Sequence, residues 1–150
     1  MANSKNVVVA IKKLNENAVV PTYGSEYAAG CDLYACIDHE IAIAPHTTYK
    51  VGTGLAMQIP VGFFGAIFAR SGLATKQGVR PANCVGVCDS DYTGEYIVAL
   101  HNDSDRTVIV KPNDRIAQLV VLPYLGVLFN EVDELIETER GAGGFGSTGA

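Results

Sequence analysis

The sequence predicts an all-β domain, a many-stranded antiparallel sandwich or barrel. Three observations point there: short runs rich in β-branched and aromatic residues recur along the chain, glycines and prolines fall between them, and no stretch reads as a long helix. The runs, in order, are NVVVAIKKL, the stretch around Cys31 to Ile37, TTYKVG, LAMQI, GFFGAIFA, EYIVALHN, TVIV and RIAQLVVLPYL. Pro45, Pro60, Gly62, Gly78, Pro81 and Pro112 lie between them, where chain reversals tolerate residues that weaken an element's interior. Ser71 to Lys76 has helical composition over a turn or two, and one further turn is expected near Val132 to Thr138.

Composition narrows the function. The 150 residues, 48% hydrophobic and 18% charged, suffice for one core and leave no room for a second domain. No run of about eighteen apolar residues could span a membrane. The start, MANSKNVVVAIKKLNEN, lacks the features of a secretory signal, so a cytoplasmic protein is expected (the host cytoplasm, if viral). A net charge of −5 argues against nucleic-acid binding, which needs a basic surface to displace counterions. Phosphate chemistry must then be local, with a few cations and a divalent metal. In this setting Cys31, Cys36, Cys84 and Cys88 are read as free thiols, because the spacings Cys31-x4-Cys36 and Cys84-x3-Cys88 lack the tight knuckle of structural zinc sites.

Five segments carry candidate chemistry. In ARSGLATK, Arg70, Ser71 and Gly72 follow an apolar strand, and an arginine fork, a hydroxyl and turn amides make an anion site. A strand end whose arginine forms a surface salt bridge reads equally well from this segment alone. The tail RGAGGFGSTGA offers a second anion site at Arg140, Ser147 and Thr148, with glycine amides able to approach phosphate oxygens. Its Gly141 to Gly146 spacing imitates a P-loop, but Ser147 stands where the lysine belongs and no helix can follow. Phe145 in this mobile strap suits stacking on a base.

NCVGVCDSDYTGEY reads as a hairpin, with Asn83 to Cys88 as one arm, Glu95 onward as the other, and Asp89, Asp91, Tyr92 and Gly94 at the bend. Asp89, at the end of the apolar arm, can face a pocket as an ionised base. RIAQLV alternates so that Arg115, Ala117 and Leu119 share one face and Gln118 sits on the other, needing a polar partner such as a phosphate or a water. The apolar run Leu119 to Phe129, broken by Pro123 and Gly126, could leave the body for a neighbouring subunit. His39, His46 and His101 sit in no metal-ligand spacing and no nucleophile signature is visible, so water is the expected nucleophile.

Taken together, AGCDLYA, RSGLATK, GVCDSDYTGE, RIAQLV and RGAGGFGSTG resemble, in order, the five motifs of the trimeric dUTPase family, from Ala29 to Gly149. The resemblance implies an all-β jelly-roll (β-clip-like) subunit at residues 1–139, its C-terminal arm exchanged within a homotrimer, and a flexible tail at 140–150 closing over a shared site. It implies hydrolysis of dUTP to dUMP and pyrophosphate, which limits uracil incorporation into DNA and supplies dUMP for dTTP synthesis. Asp89 would activate the water attacking the α-phosphorus, and Asp32 would hold Mg2+ through water. Arg70, Ser71, Gly72 and Gln118 would contact the triphosphate. Asn83, Val87, Cys88 and Ile97 would recognise the base and Tyr92 the deoxyribose, while Arg140, Phe145, Gly146, Ser147 and Thr148 would close the site. Cys31, Cys88 and Thr93 depart from the family's usual residues there. A related dCTP deaminase would need a glutamate where Ala99 stands, and a non-catalytic nucleotide-binding regulatory module would not need Asp89.

Overall fold

The computed structural model describes residues 6–144. Its strands fall into three antiparallel sheets. The first has the order β1 (Ala10–Lys13), β5 (Thr48–Gln58), β9 (Glu95–Asn102), β7 (Val79–Pro81). The second has the order β2 (Thr22–Tyr23), β3 (Cys31–Tyr34), β11 (Arg115–Pro123), β6 (Phe63–Phe68), β8 (Val85–Cys88). A short pair joins β10 (Val108–Val110) to β4 (Ile41–Ile43). One helix, α1 (Ser71–Gln77), follows β6 where helical composition was read, and stops at Gly78 in the left-handed region, φ 70°. This all-β jelly roll has the expected class.

Alternation builds the core. Along β9 the side chains of Tyr96, Val98, Leu100 and Asn102 are buried, and they meet Leu33, Ile67, Ala117 and Leu119 of the second sheet. Ile41, Ile43, Val108 and Val110 close the end of the sandwich. Buried Asn102 donates to the carbonyls of Ile43, Ala44 and Arg106, which ties that closure to β9.

Four expectations change. TTYKVG and LAMQI are one strand, β5, carried through a bulge: between Gly52↔Ile97 and Ala56↔Glu95, four steps on β5 oppose two on β9. Gly54 sits in that bulge at φ 65°, its amide held by a Glu95 carboxylate oxygen at 2.9 Å. A second bulge, between Arg115 and Ala117, breaks the alternation of RIAQLV, so Ile116 and Ala117 are both buried while Arg115 is exposed. Leu119 to Pro123 stay in the sheet against β6, so the chain leaves the body only after Tyr124, whose amide donates to the Gly62 carbonyl at 3.1 Å. Between Val132 and Thr138 there is a bend at Asp133 only, and the turn falls at residues 139–142. Beyond Tyr124 the apolar side chains are open to solvent, Leu128 at 98% and Phe129 at 95%.

The bulge at Gly54 generates a prediction. A Cβ there would stand 2.7 Å from the Cys36 sulfur and 2.9 Å from the Ala18 Cβ, in a conformation that side chains disfavour. Gly54→Ala should therefore lower unfolding stability by about 2–3 kcal/mol in urea titrations. Gly62→Ala, at φ 89° in open space, carries backbone strain alone and should lose about 1 kcal/mol. Equal losses would contradict the packing argument.

Candidate functional site

The sheet order brings three of the sequence segments to one place. Asp32 pairs with Gln118 across β3 and β11, and Gln118 pairs with Phe68 across β11 and β6, after which the chain turns through Ala69 and Arg70 into α1. Asp32 is almost buried, and its two oxygens accept from Arg70 Nε at 2.7 Å and Arg115 Nη1 at 3.2 Å. One carboxylate between two guanidinium groups leaves local positive charge while fixing where each fork points. Because a carboxylate offers about four lone-pair directions, Asp32 can still accept from water. Arg70, Ser71, Gly72, Arg115, Gln118 and Asp32 line a depression of about 220 Å³. First-turn amides of α1 have no intrahelical partner, and Arg70 at the N-cap supplies none. The partner of Gln118 is the protein itself: Nε2 donates to the Ala69 carbonyl at 2.8 Å. A Cβ on Gly30 would come within 2.7 Å of its Oε1, so a larger residue there would displace the Gln118 amide.

The segment read as a hairpin is not a two-stranded ladder. β8 pairs with β6, and β9 pairs with β5 and β7, so the two arms belong to different sheets. The Ala82 amide donates to the Ala99 carbonyl at 2.7 Å, continuing the β7–β9 pairing, and the Tyr92 amide donates to the Asp89 carbonyl at 3.2 Å, closing the turn between the arms. The arms themselves splay, leaving a cleft of about 260 Å³ lined by Asn83, Val87, Cys88, Asp89, Tyr92 and Ile97, with Ile67, Gly86, Glu95 and Tyr96. An edge strand such as β8 has alternate backbone groups unpaired, and these suit the hydrogen-bonding rim of a planar ligand. Asp89 is exposed at the end of β8. Tyr92 is held by its hydroxyl donating to the Glu95 carbonyl at 2.7 Å and by its ring against Tyr96, centroids 5.9 Å apart. Glu95, the glutamate lining the cleft, is engaged by the Gly54 amide.

Within one chain Asp89 and Arg70 lie apart. Cys88 pairs with Gly65, whereas the anion-binding turn begins beyond Phe68, the partner of Val85. From Gly65 to Arg70 is five residues of extended chain, about 16 Å. Arg140 lies elsewhere, in the turn at 139–142, its Nε donating to the Gly143 carbonyl at 2.8 Å. Phe145, Gly146, Ser147 and Thr148 lie outside the described residues. Sequence reasoning missed Arg115 as a member of the anion site; its signal was the cation opening RIAQLV, hidden by the bulge that turns it away from the core.

Burial pushes the thiols of Cys31 and Cys88 up from their ordinary range; the Tyr96 hydroxyl partly opposes this at Cys88, and the Asp89 charge adds to it. Both therefore stay protonated at neutral pH, and Cys88 is no nucleophile despite adjoining Asp89. The Tyr96 phenol is itself raised, first by burial, and its oxygen finds no hydrogen-bond partner of full geometry among the described residues.

Fold and site together define an all-β jelly-roll protein with a turn that gathers two guanidinium groups and a separate cleft of nucleoside size. The family model described as dUTPase matches residues 16–149. Over 145 residues the chain is 45% identical to the deoxyuridine 5'-triphosphate nucleotidohydrolase of Syntrophotalea carbinolica, covering 97% of this chain and 99% of that one. The dUTPase of Staphylococcus bacteriophage 80alpha, solved with dUPNHPP, superposes with a TM-score of 0.86 at 25% identity, over 95% of this chain and 99% of that one. A mutant dUTPase of phage phi11 of S. aureus, described as coordinating a structural Mg(II) ion, superposes with a TM-score of 0.77 at 22% identity, over 87% and 99%. The chain belongs to the dUTPase family of nucleotide hydrolases.

The thiol environments set a measurable order. Cys84 is exposed, so iodoacetamide at neutral pH should modify it first, with Cys31 and Cys88 following only as the pH rises well above the usual thiol range. Peptide mapping by mass spectrometry reads the order, and early modification of Cys88 would contradict the burial argument.

Proposed function

We propose that this protein hydrolyses dUTP to dUMP and pyrophosphate, with Asp89 as the general base, in a site assembled from more than one copy of the chain. The observation that carries the reading is the exposed carboxylate of Asp89 at the end of β8, on the lining of a cleft with two splayed strand edges. Asp89 takes a proton from water as the water oxygen bonds to the α-phosphorus. The bond from that phosphorus to the bridging oxygen breaks, and pyrophosphate leaves with its electron pair.

Each remaining residue has a task in binding or orientation. Backbone groups of Asn83, Val87, Cys88 and Ile97 read the edge of uracil and leave no room for a 5-methyl group, and Tyr92, braced by Tyr96, packs against the deoxyribose and excludes a 2'-hydroxyl. Arg70, Ser71, Gly72 and Gln118, with Arg115, bind phosphate oxygens, Arg70 and Arg115 being aimed by Asp32. From the tail, Arg140, Phe145, Gly146, Ser147 and Thr148 close over the substrate and exclude bulk water. The chain then divides into a jelly roll with its exchanged arm at 1–139 and a closing tail at 140–150.

Magnesium fits this donor set as an ion carried largely by the triphosphate. Among the described residues no three His, Cys, Asp or Glu side chains gather as a metal cluster, and a hydrated Mg2+ needs only phosphate oxygens and a carboxylate reached through water, here Asp32. When bound it neutralises charge developing on the phosphates.

Two features support a homotrimer with shared sites. Asp89 and Arg70 are too far apart along β6 and β8 for one copy to place both on one α-phosphate. The arm after Tyr124 exposes Leu125, Leu128, Phe129, Leu135 and Ile136, and burying each against a neighbour contributes about 2 kcal/mol. Deamination of dCTP is the weaker reading, because Ala99 occupies the general acid-base position and the cleft's glutamate is already engaged.

Asp89→Asn should bind dUTP with little change and lose about 10³-fold or more in kcat, measured by pyrophosphate release; near-normal turnover would remove the mechanism. Deleting residues 140–150 should leave the oligomer intact by light scattering while cutting kcat/KM by about 100-fold or more, and full activity would sink the closing tail.

A further inference from the structure

The bulge on β5 is a fixed point in the body of the protein. Its carbonyls are held by neighbouring segments: the Leu14 amide donates to the Gly54 carbonyl at 2.8 Å, and the Cys36 amide donates to the Gly52 carbonyl at 2.9 Å. The bulge in turn holds the first two residues of β9. The buried Thr53 hydroxyl donates to the Tyr96 carbonyl at 2.7 Å, and the Gly54 amide donates to the Glu95 carboxylate at 2.9 Å. These bonds stand where the register is interrupted, between Gly52↔Ile97 and Ala56↔Glu95. The contacts that hold Tyr92 end on the same two residues, its hydroxyl on the Glu95 carbonyl at 2.7 Å and its ring against Tyr96. Tyr92 stands half exposed beside the turn, so these contacts set its aim.

We propose that Glu95 is a positioning residue: its carboxylate, gripping the Gly54 amide, braces Tyr92 from the β5 bulge and so sharpens discrimination at the 2'-position of the sugar, an inference that rests on Tyr92 packing against the deoxyribose. Glu95 is suited to this because its two ends do different things. The backbone carbonyl receives Tyr92, while the side chain, on the face of β9 opposite buried Tyr96 and Val98, reaches across Gly52 to the bulge. Gly52 makes the room. A Cβ there would stand 2.5 Å from the Glu95 Oε1, and its next nearest neighbours are the other two atoms of the same carboxylate, at 3.4 and 3.7 Å. A hydrogen bond to a charged acceptor is stronger and shorter-ranged in its geometry than a neutral one, so it restrains the strand start that it grips. Thr53 adds a parallel restraint through the Tyr96 backbone, and the Tyr96 ring passes it to the ring of Tyr92.

The test is the ratio of kcat/KM for dUTP to that for UTP in the full chain and four variants. Loss of fold or of oligomer lowers both values together and leaves the ratio alone, so the ratio isolates the brace. Glu95→Ala strips the acceptor from the Gly54 amide and should lower the ratio about tenfold, the scale of one charge-assisted hydrogen bond. Glu95→Gln keeps an acceptor oxygen at the same reach, and its ratio should stay within about twofold of the parent. Gly52→Ala should lower the ratio about fivefold or more, because its methyl meets the flexible end of Glu95 first and drives it off the amide. Gly52→Ala/Glu95→Ala should match Glu95→Ala to within about twofold, since no carboxylate remains to be displaced. A ratio in Glu95→Ala within about twofold of the parent overturns the brace, as does a Glu95→Gln ratio as low as that of Glu95→Ala, or a double variant well below it. Should Glu95→Ala be insoluble, an unchanged ratio in Gly52→Ala overturns it as well. A parent that hydrolyses dUTP and UTP equally well removes the reading of Tyr92 itself, whereas a parent that discriminates, with variants of unchanged ratio, removes the brace alone.

Discussion

The structure depends on one topological fact: consecutive strands β8 and β9 join different sheets. A true hairpin would have satisfied its backbone groups internally and left no space between its arms. Splitting the arms leaves the edge strand β8 and the end of β9 that lies beyond its pairing with β7 on either side of a gap. The same split fixes Asp89, because the ladder from Gly65↔Cys88 to Phe68↔Val85 runs away from it towards the anion-binding turn. Asp89 and the turn at Arg70 therefore lie at opposite ends of one pair of strands. On the proposed reading, a substrate that touches both draws them from different copies.

The C-terminal segment has the complementary property. After Tyr124 it contributes no described strand and turns nearly every apolar side chain to solvent, a surface that single soluble chains rarely leave open. On the proposed reading, burial of this arm against a neighbouring copy and completion of the site go together. Asp32 matters for the opposite reason, since it acts within a single chain, where its two arginine contacts hold the cations in place before any phosphate arrives.

Much of this was legible in the residues. Alternating runs and intervening glycines gave the class, and the composition of Ser71 to Lys76 marked α1 nearly to its ends. Asp32, Arg70 and Gln118, far apart along the chain, line one depression, and Asn83, Val87, Cys88, Asp89, Tyr92 and Ile97 line another. What failed was long-range. Local sequence cannot say whether a reversing chain pairs with itself or with other strands, so the hairpin was wrong although its turn was right. Bulges add residues without a sequence period, so alternation alone divides β5 in two and places Arg115 on the face of Ala117. Gln118 was known to need a partner, but only the register of β11 on β6 shows that the partner is the Ala69 carbonyl.

Co-refolding equal amounts of Asp89→Asn and Arg70→Ala chains tests the shared site most directly. Each variant alone should be nearly inactive. If the two residues act on one substrate from different copies, random mixing restores both to about a quarter of the sites, and the mixture should show about a quarter of the parent's dUTP hydrolysis. A mixture no more active than its components would place Asp89 and Arg70 in the same copy's site and contradict the account.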